Sequence, residues 1–269
     1  MSRIDIALHE LRSLDELSRR DSALSRLDAR AHLVTTLAFC VVVVSFDRYT
    51  LAALVPLALY PMALAALGDL PARQMLRKLA IAAPFALLVG LFNPLLDRAP
   101  LLIFGELTIA AGWVSFASIM LRFALTVGSA LVLIAGTGMH QLCAALGRLG
   151  VPSVFTAQLL FLFRYAFVLG AEASSMLTAY GLRSGGRRPG LNDYGGLAGN
   201  LLLRAFERAQ RIHLAMVARG FDGEVRSAAP QVWKRRDSLF VVGWCAYFIL
   251  ARSIDVPQWI GQAATGQLP

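Results

Sequence analysis

Trp113-Val-Ser-Phe-Ala-Ser-Ile-Met-Leu-Arg-Phe-Ala-Leu-Thr-Val-Gly-Ser-Ala-Leu-Val-Leu-Ile-Ala-Gly136 is an apolar run without a proline. A helix that crosses a bilayer needs about 20 residues, with a range of about 17–25. Residues 113–136 meet that length and predict one crossing. Upstream lie further apolar runs near 79–96, 50–67 and 31–46, the last of them short. Asp47-Arg48-Tyr49 turns the runs 31–46 and 50–67 into a tight helical hairpin. Downstream, Leu239–Leu250 follows Lys234-Arg235-Arg236 and predicts a final crossing.

Composition agrees with this pattern. The chain has 269 residues, 57% of them hydrophobic and 16% charged, and a mean hydropathy of +0.60. A soluble domain carries about 25% charged residues. The expected fold class is an all-α integral membrane protein with about five transmembrane helices. The count rises to six or seven if residues 101–111 and 153–170 also cross. Long crossed cytoplasmic helices complete it. Four segments are expected: an amphipathic cytoplasmic stretch over 1–30, transmembrane helices over 31–138, a region with two long helices over 139–236, and a last crossing with an external C-terminus over 237–269. Residues 1–30 lack the apolar core of a cleavable signal.

The formal net charge is +9, and it is unevenly placed. Between Met176 and Arg236 eleven Lys or Arg stand against four Asp or Glu, whereas Met1–Arg30 carries six of each. Basic clusters beside spans mark the cytoplasmic side. The loop Gly68–Arg73, with Arg77 and Lys78, is therefore placed inside, and Asp97-Arg98-Ala99-Pro100 outside. Leu101–Ala111 is too short to cross alone and reads as re-entrant or interfacial. If neither it nor 153–170 crosses, the basic region stays inside. The high pI comes with no basic soluble domain, so nucleic acid is not an expected partner.

Without a proline from Ser153 to Arg183, one long helix is expected there, about 45 Å at roughly 1.5 Å per residue. Gly185-Gly186-Arg187-Arg188-Pro189-Gly190 breaks it. A glycine-rich link through Gly195, Gly196 and Gly199 is expected next, then a second helix from about Leu197 to Arg219. That helix carries Arg204, Arg208, Arg211 and Arg219 and ends in Ala218-Arg219-Gly220. Glycine after the last turn is a helix stop, and the helix dipole favours a cation there. A cation at a rigid helix end suits docking onto an acidic partner surface. Arg183 stands at the equivalent place on the first helix. Within that helix Glu172 lies eight residues after Arg164 on the same face. An ion pair fixing the crossing of the long helices and snorkelling to the interface are the two readings of these charges, evenly matched.

Several chemistries lack their motifs. There is no GxxxxGK[ST] phosphate loop, HExxH, GxSxG or paired intramembrane carboxylate. His140 and Cys143 are three apart, but two ligands are fewer than a metal site usually needs. Cys40, Cys143 and Cys245 form no CxxC and read as buried thiols. Gly128, Ala130, Gly136 and Gly138 are read as allowing close helix packing. No enzyme activity and no cofactor are expected.

Four passages carry a family resemblance: Ser25–Arg30, Leu142–Pro152, Phe163-Arg164-Tyr165 through Glu172 to Leu182-Arg183-Ser184, and Phe206-Glu207-Arg208-Ala209 through Ala218-Arg219-Gly220-Phe221. The chain resembles the transmembrane T component of energy-coupling factor transporters, in the cobalt/nickel CbiQ-like branch. That family carries two Ala-Arg-Gly motifs on cytoplasmic coupling helices. The second matches here at Ala218, Arg219 and Gly220; at the first only Arg183 carries over, inside Leu-Arg-Ser. Arg164, Glu172, Glu207 and Arg208 are carried over as helix-crossing or structural charges. The resemblance implies two ATP-binding-cassette ATPase subunits as partners, a membrane-embedded substrate-capture subunit of the CbiM/NikM kind, and a multi-pass place in the bacterial inner membrane. Against this stand a self-sufficient secondary transporter, hinted at only by Pro56, Pro61 and Pro84, and an intramembrane enzyme, for which no constellation is present.

Overall fold

The computed structural model describes residues 17–18, 22, 24–47, 51–96, 100–104, 107–187, 189–223 and 232–253. In chain order its helices are α1 (Ala29–Val44), α2 (Leu59–Leu67), α3 (Ala72–Leu96), α4 (Ala111–Thr137), α5 (Met139–Arg148), α6 (Ser153–Arg183), α7 (Leu191–Ala218) and α8 (Arg235–Ser253). Two short strands, β1 (Pro100–Phe104) and β2 (Leu107–Ala110), separate α3 from α4. The chain is an all-α membrane protein apart from this hairpin. Among the described residues three helical segments are long and apolar enough to cross a bilayer: Ala72–Pro94, Gly112–Thr137 and Ser153–Arg183. Ala29–Val44 and Pro56–Leu67 are shorter apolar helical stretches. The chain divides into two compact units, one of Leu17–Gly138 with Gln231–Pro269, the other of Met139–Pro230 with Met1–Glu16.

The first unit is built on α4, which packs against α1, α2 and α3, while α1 also packs on α8. Helix α1 begins where Asp28 accepts the Arg30 amide at 2.9 Å, a side-chain cap of the usual kind. The Asp28 amide in turn donates to Asp237 Oδ1 at 3.1 Å. Asp237, in the first turn of α8, also accepts the Lys234 amide at 2.7 Å. Two helix starts are thus bonded to each other through the Asp237 carboxylate, and Asp28 and Asp237 are only 3% and 1% exposed. Arg30 pairs with the Asp28 carboxylate at 2.9 Å and lies over the Trp233 ring.

The core of this unit is aromatic. Tyr60 stacks on Phe39 at 4.7 Å and meets Trp244 and Phe248 edge-on at 4.9 and 5.2 Å. Its hydroxyl bonds Thr36 Oγ1 at 2.9 Å and Thr35 Oγ1 at 3.1 Å. A buried phenol without partners would be costly; here two threonines on α1 satisfy it. Gly90 lets α3 approach α4, since a Cβ there would meet Phe116 at 3.0 Å. Gly136 and Gly138 also serve close packing, against Leu24 and Ser18, but Gly128 has nothing within 4 Å of its would-be Cβ.

One expectation differs here. Residues 50–67 are not one continuous helix but two 3-10 turns, Ala52–Leu54 and Pro56–Ala58, followed by α2. Pro56 lacks an amide hydrogen and cannot extend an α ladder back into residues 52–55. The Pro56 carbonyl, which takes the Leu59 amide within the turn, also accepts the Tyr247 hydroxyl at 2.7 Å. In the stretch 101–111, read as re-entrant or interfacial, the described residues up to Ala110 are extended: β1 and β2 pair antiparallel, from Pro100 opposite Ala110 to Phe104 opposite Leu107. Their β-branched members, Ile103, Thr108 and Ile109, favour extended backbone.

In the second unit α6 packs on both α5 and α7. The long helix expected over Ser153–Arg183 is observed with those ends. Helix α7 starts six residues earlier than expected, at Leu191, so Gly195, Gly196 and Gly199 lie inside a helix and not in a link. The reason is Asp193, which accepts the Gly190 amide at 2.8 Å and starts the helix upstream of the glycines.

Candidate functional site

The distinctive geometry of the second unit is at its helix ends. Helix α7 runs to Ala218, and Arg219 is its C-cap. Gly220 follows with φ +77°, a left-handed backbone that glycine adopts without steric cost. The Gly220 amide bonds the Val217 carbonyl at 2.9 Å and the Phe221 amide bonds the Met216 carbonyl at 3.0 Å. These two bonds form a Schellman motif. Arg219 is thereby fixed at the negative end of a 28-residue helix, with its side chain exposed.

Helix α6 ends in the same way. Arg183 is its last residue, Ser184 the cap, and Gly185 and Gly186 have φ +64° and +85°. The Gly186 amide reaches the Gly181 carbonyl at 2.8 Å. So the Leu-Arg-Ser departure from Ala-Arg-Gly shifts the glycine by one residue and keeps the stop. Arg183, like Arg219, is exposed, and neither makes an ion pair with another described residue. A third end was not anticipated. Helix α5 closes with Arg148 in its last turn, Gly150 at φ +99°, and the Val151 amide on the Leu146 carbonyl at 3.1 Å. The signal was present in Gly147-Arg148-Leu149-Gly150-Val151-Pro152.

Side-chain bonds set the relative direction of the two long helices. Near the break, the Tyr180 hydroxyl donates to Asp193 Oδ2 at 2.7 Å. That bond, with the Gly190 amide, holds the Asp193 carboxyl below the usual carboxylate range. Further along, Glu172 accepts from Arg204 at 2.7 Å and Arg208 at 3.1 Å. Beyond it, Phe161 and Tyr165 share a cleft with Ile212 and Met216. Residue numbers rise on one helix as they fall on the other, so α6 and α7 run antiparallel. Arg183 and Arg219 therefore stand at opposite ends of the pair.

Of the charges expected to be structural, Glu172 and Arg208 are brought together. Arg164 is not their partner: it is exposed and lies 6.0 Å from the Tyr165 ring centroid. Its place is taken by Arg204, which the chain reversal at 184–190 delivers from the other helix. Glu207 is exposed on α7 and makes no ion pair with a described residue. His140 is exposed while Cys143 is 3% exposed, and burial pushes the Cys143 thiol above its ordinary range. No group of three potential metal ligands occurs among the described residues.

Comparison with known proteins bears on this arrangement. A family model described as CbiQ, cobalt transport protein, matches residues 20–230. A cobalt transport protein CbiQ from Rhodobacter capsulatus is 35% identical over 92 residues, 34% of this chain and 38% of that protein. An uncharacterised protein of Methanocaldococcus jannaschii is 30% identical over 102 residues, 37% of this chain and 38% of that protein. The aligned stretch thus spans less than two fifths of the length of each relative. The family match covers α1 to α7 and every helix end described above, and on it the chain belongs to the CbiQ cobalt transport protein family.

Proposed function

We propose that the protein is the non-catalytic transmembrane scaffold of an ATP-driven importer of the energy-coupling factor type, carrying cobalt or nickel ions across the bacterial inner membrane. In this reading α6 and α7 lie on the cytoplasmic side. Arg183 and Arg219 each dock on one of two ATP-binding-cassette ATPase subunits, and the spans hold a CbiM/NikM-like substrate-capture subunit. The observation that carries it is the pair of exposed arginines, each fixed by a glycine stop at the end of one of two antiparallel helices joined through Glu172.

The physics is that of a directional contact. A guanidinium presents a planar fork that bonds a carboxylate through two parallel N–H groups. Held at a rigid helix end, it moves with the surface it grips. When ATP draws two ATPases together, each would carry its helix end, and the Glu172 link passes the motion between helices. Such coupling requires the ATPase to contact the helix differently in its two states. Glu172 also favours the lateral placement of α6. An acid paired to two arginines two thirds of the way along α6 is costly inside hydrocarbon and ordinary at a cytoplasmic surface.

Affinity purification of the intact chain from native membranes in mild detergent tests the reading. The expected result is retention of two ATPase subunits and a further membrane protein, with cobalt or nickel uptake only from the assembled complex. Metal uptake by the chain reconstituted alone would replace this reading with the secondary-transporter one.

A further inference from the structure

The chain passes between its two units at three places: between residues 16 and 17, 138 and 139, and 230 and 231. Within the first unit, residues beside all three passages meet. Ser18 lies against Gly138, where an added Cβ would stand 2.6 Å from the serine Oγ. Thr137 Oγ1 and His32 Nδ1 are hydrogen-bonded at 3.3 Å. The Arg30 guanidinium lies over the Trp233 ring, 5.2 Å from its centroid. The Asp28 amide donates to Asp237 Oδ1 at 3.1 Å. Asp28 caps α1, and Arg30 and His32 stand in its first turn. That turn therefore grips the chain both where it leaves the first unit and where it returns.

The grip is polar and buried. His32, Thr137 and Asp237 are 2%, 5% and 1% exposed. Burying such groups is costly unless they are bonded, and apolar side chains would fill the same space without that cost. What hydrogen bonds add is direction. An apolar joint can slide, whereas a bonded one keeps its place. His32 is also held by Phe240, stacked at 5.4 Å. Gly138 alone separates α4 from α5, with φ +79°, a backbone glycine adopts without strain. Hinges are a few such element-terminal residues. Chain links that enter a body at one place restrain its translation and leave its rotation free. Links spread over a face would restrain both.

We propose that the Asp28–His32 turn is the anchor of a pivot: it pins the three passages together, so that the second unit turns about Gly138 without being displaced. Asp28, His32, Thr137 and Asp237 are its positioning residues. The consequence for transport rests on the importer reading, in which a turn of α6 and α7 reaches the spans only if the joint does not yield. The pivot itself is mechanical and is read without uptake.

The test uses the full chain in its purified membrane complex, with Cys40, Cys143 and Cys245 replaced and nitroxides attached in pairs. One label sits at Val41→Cys, exposed on α1. The other sits at His140→Cys, the second residue after the Gly138 passage, or at Leu182→Cys, near the far end of the 31-residue α6. A point far from a pivot sweeps the longer arc, so pulsed electron resonance should give a distance distribution about twice as wide for the Leu182 pair. Thr137→Val removes the His32 bond with little change of shape and should widen the His140 distribution toward that of Leu182. Asp237→Asn keeps one acceptor oxygen for two amides. It should also raise hydrogen exchange over residues 28–34 about tenfold, the effect of one lost bond to a charged group. Thr36→Val removes an equally buried bond, to Tyr60, away from the joint and should leave the His140 distribution unchanged. Thr137→Val carries the test by itself if Asp237→Asn does not fold. Equal widths for the two pairs in the unaltered joint, no widening by Thr137→Val, or the same widening by Thr36→Val overturns the pivot. A preparation without ATPase subunits would overturn the importer reading instead, and the two distributions would still decide the pivot.

Discussion

Arg219 differs from the other arginines of α7 in where its backbone ends, not in its charge. Arg219→Glu places an acid at the contact and is expected to weaken ATPase retention or to uncouple hydrolysis from uptake. Removing one partner of a desolvated charge pair costs on the order of 2–5 kcal/mol. Arg219→Lys keeps the charge without the fork and should lose less. Arg183→Glu is expected to act in the same direction. Arg187→Glu, in the short link before Pro189, is the control, and equal loss of uptake from all three acidic variants with the complex intact would show a general charge effect in place of docking. The glycine stop at Arg219 could be read directly from Ala-Arg-Gly. The partner of Glu172 could not, because Arg164 is near in sequence whereas Arg204 and Arg208 become near only through the reversal at 184–190. Glu172→Lys sets three cations together and should lower uptake while both ATPases stay bound, a split measurable by comparing pull-down with metal uptake.

At the scale of the element, glycines separate cleanly by surroundings. Nothing lies within 4 Å of a Cβ built at Gly199, whereas one at Gly136 overlaps Leu24. Gly199→Ala should therefore stabilise α7 by up to about 1 kcal/mol, and Gly136→Ala should cost about 1–3 kcal/mol through overpacking. Thermal unfolding of the purified chain in detergent ranks the two; a fall for Gly199→Ala would mean that α7 bends there. Sequence misjudged this region because Gly195, Gly196 and Gly199 look like a linker. The capping carboxylate of Asp193 outweighs their weak helix preference. The same kind of local chemistry explains residues 50–67, where apolar character predicts a span but Pro56 imposes 3-10 turns. Apolar length was legible; the hydrogen-bonding of individual prolines and capping acids was not.

For the molecule as a whole, the uneven charge predicts that residues 176–236 face the cytoplasm. A single cysteine introduced at Gly186, on an exposed turn, should react with an impermeant maleimide only after membranes are permeabilised. The natural Cys40, Cys143 and Cys245 are replaced first, a change expected to leave uptake largely intact. Reaction in intact cells would reverse the placement of both arginine ends. The all-α membrane class was legible in composition and in the run 113–136. The antiparallel sense of α6 and α7 was open, since no residue pattern announces which faces a long reversal will bring together.

Counting residues outward from the Glu172–Arg208 pair, one of the two that Glu172 makes, gives an unforeseen symmetry. Arg183 lies eleven residues beyond Glu172, and Arg219 lies eleven beyond Arg208. At roughly 1.5 Å per residue each arm is about 16 Å. A pair of rods pinned at that bridge is a balance with equal arms: a tilt of about 10° would carry each tip roughly 3 Å, in opposite senses. The two tips differ in wording, Leu-Arg-Ser against Ala-Arg-Gly, yet have the same leverage. Any inequality between the two gripping subunits would then come from the strength of their hold, and not from the reach of the rod each one turns.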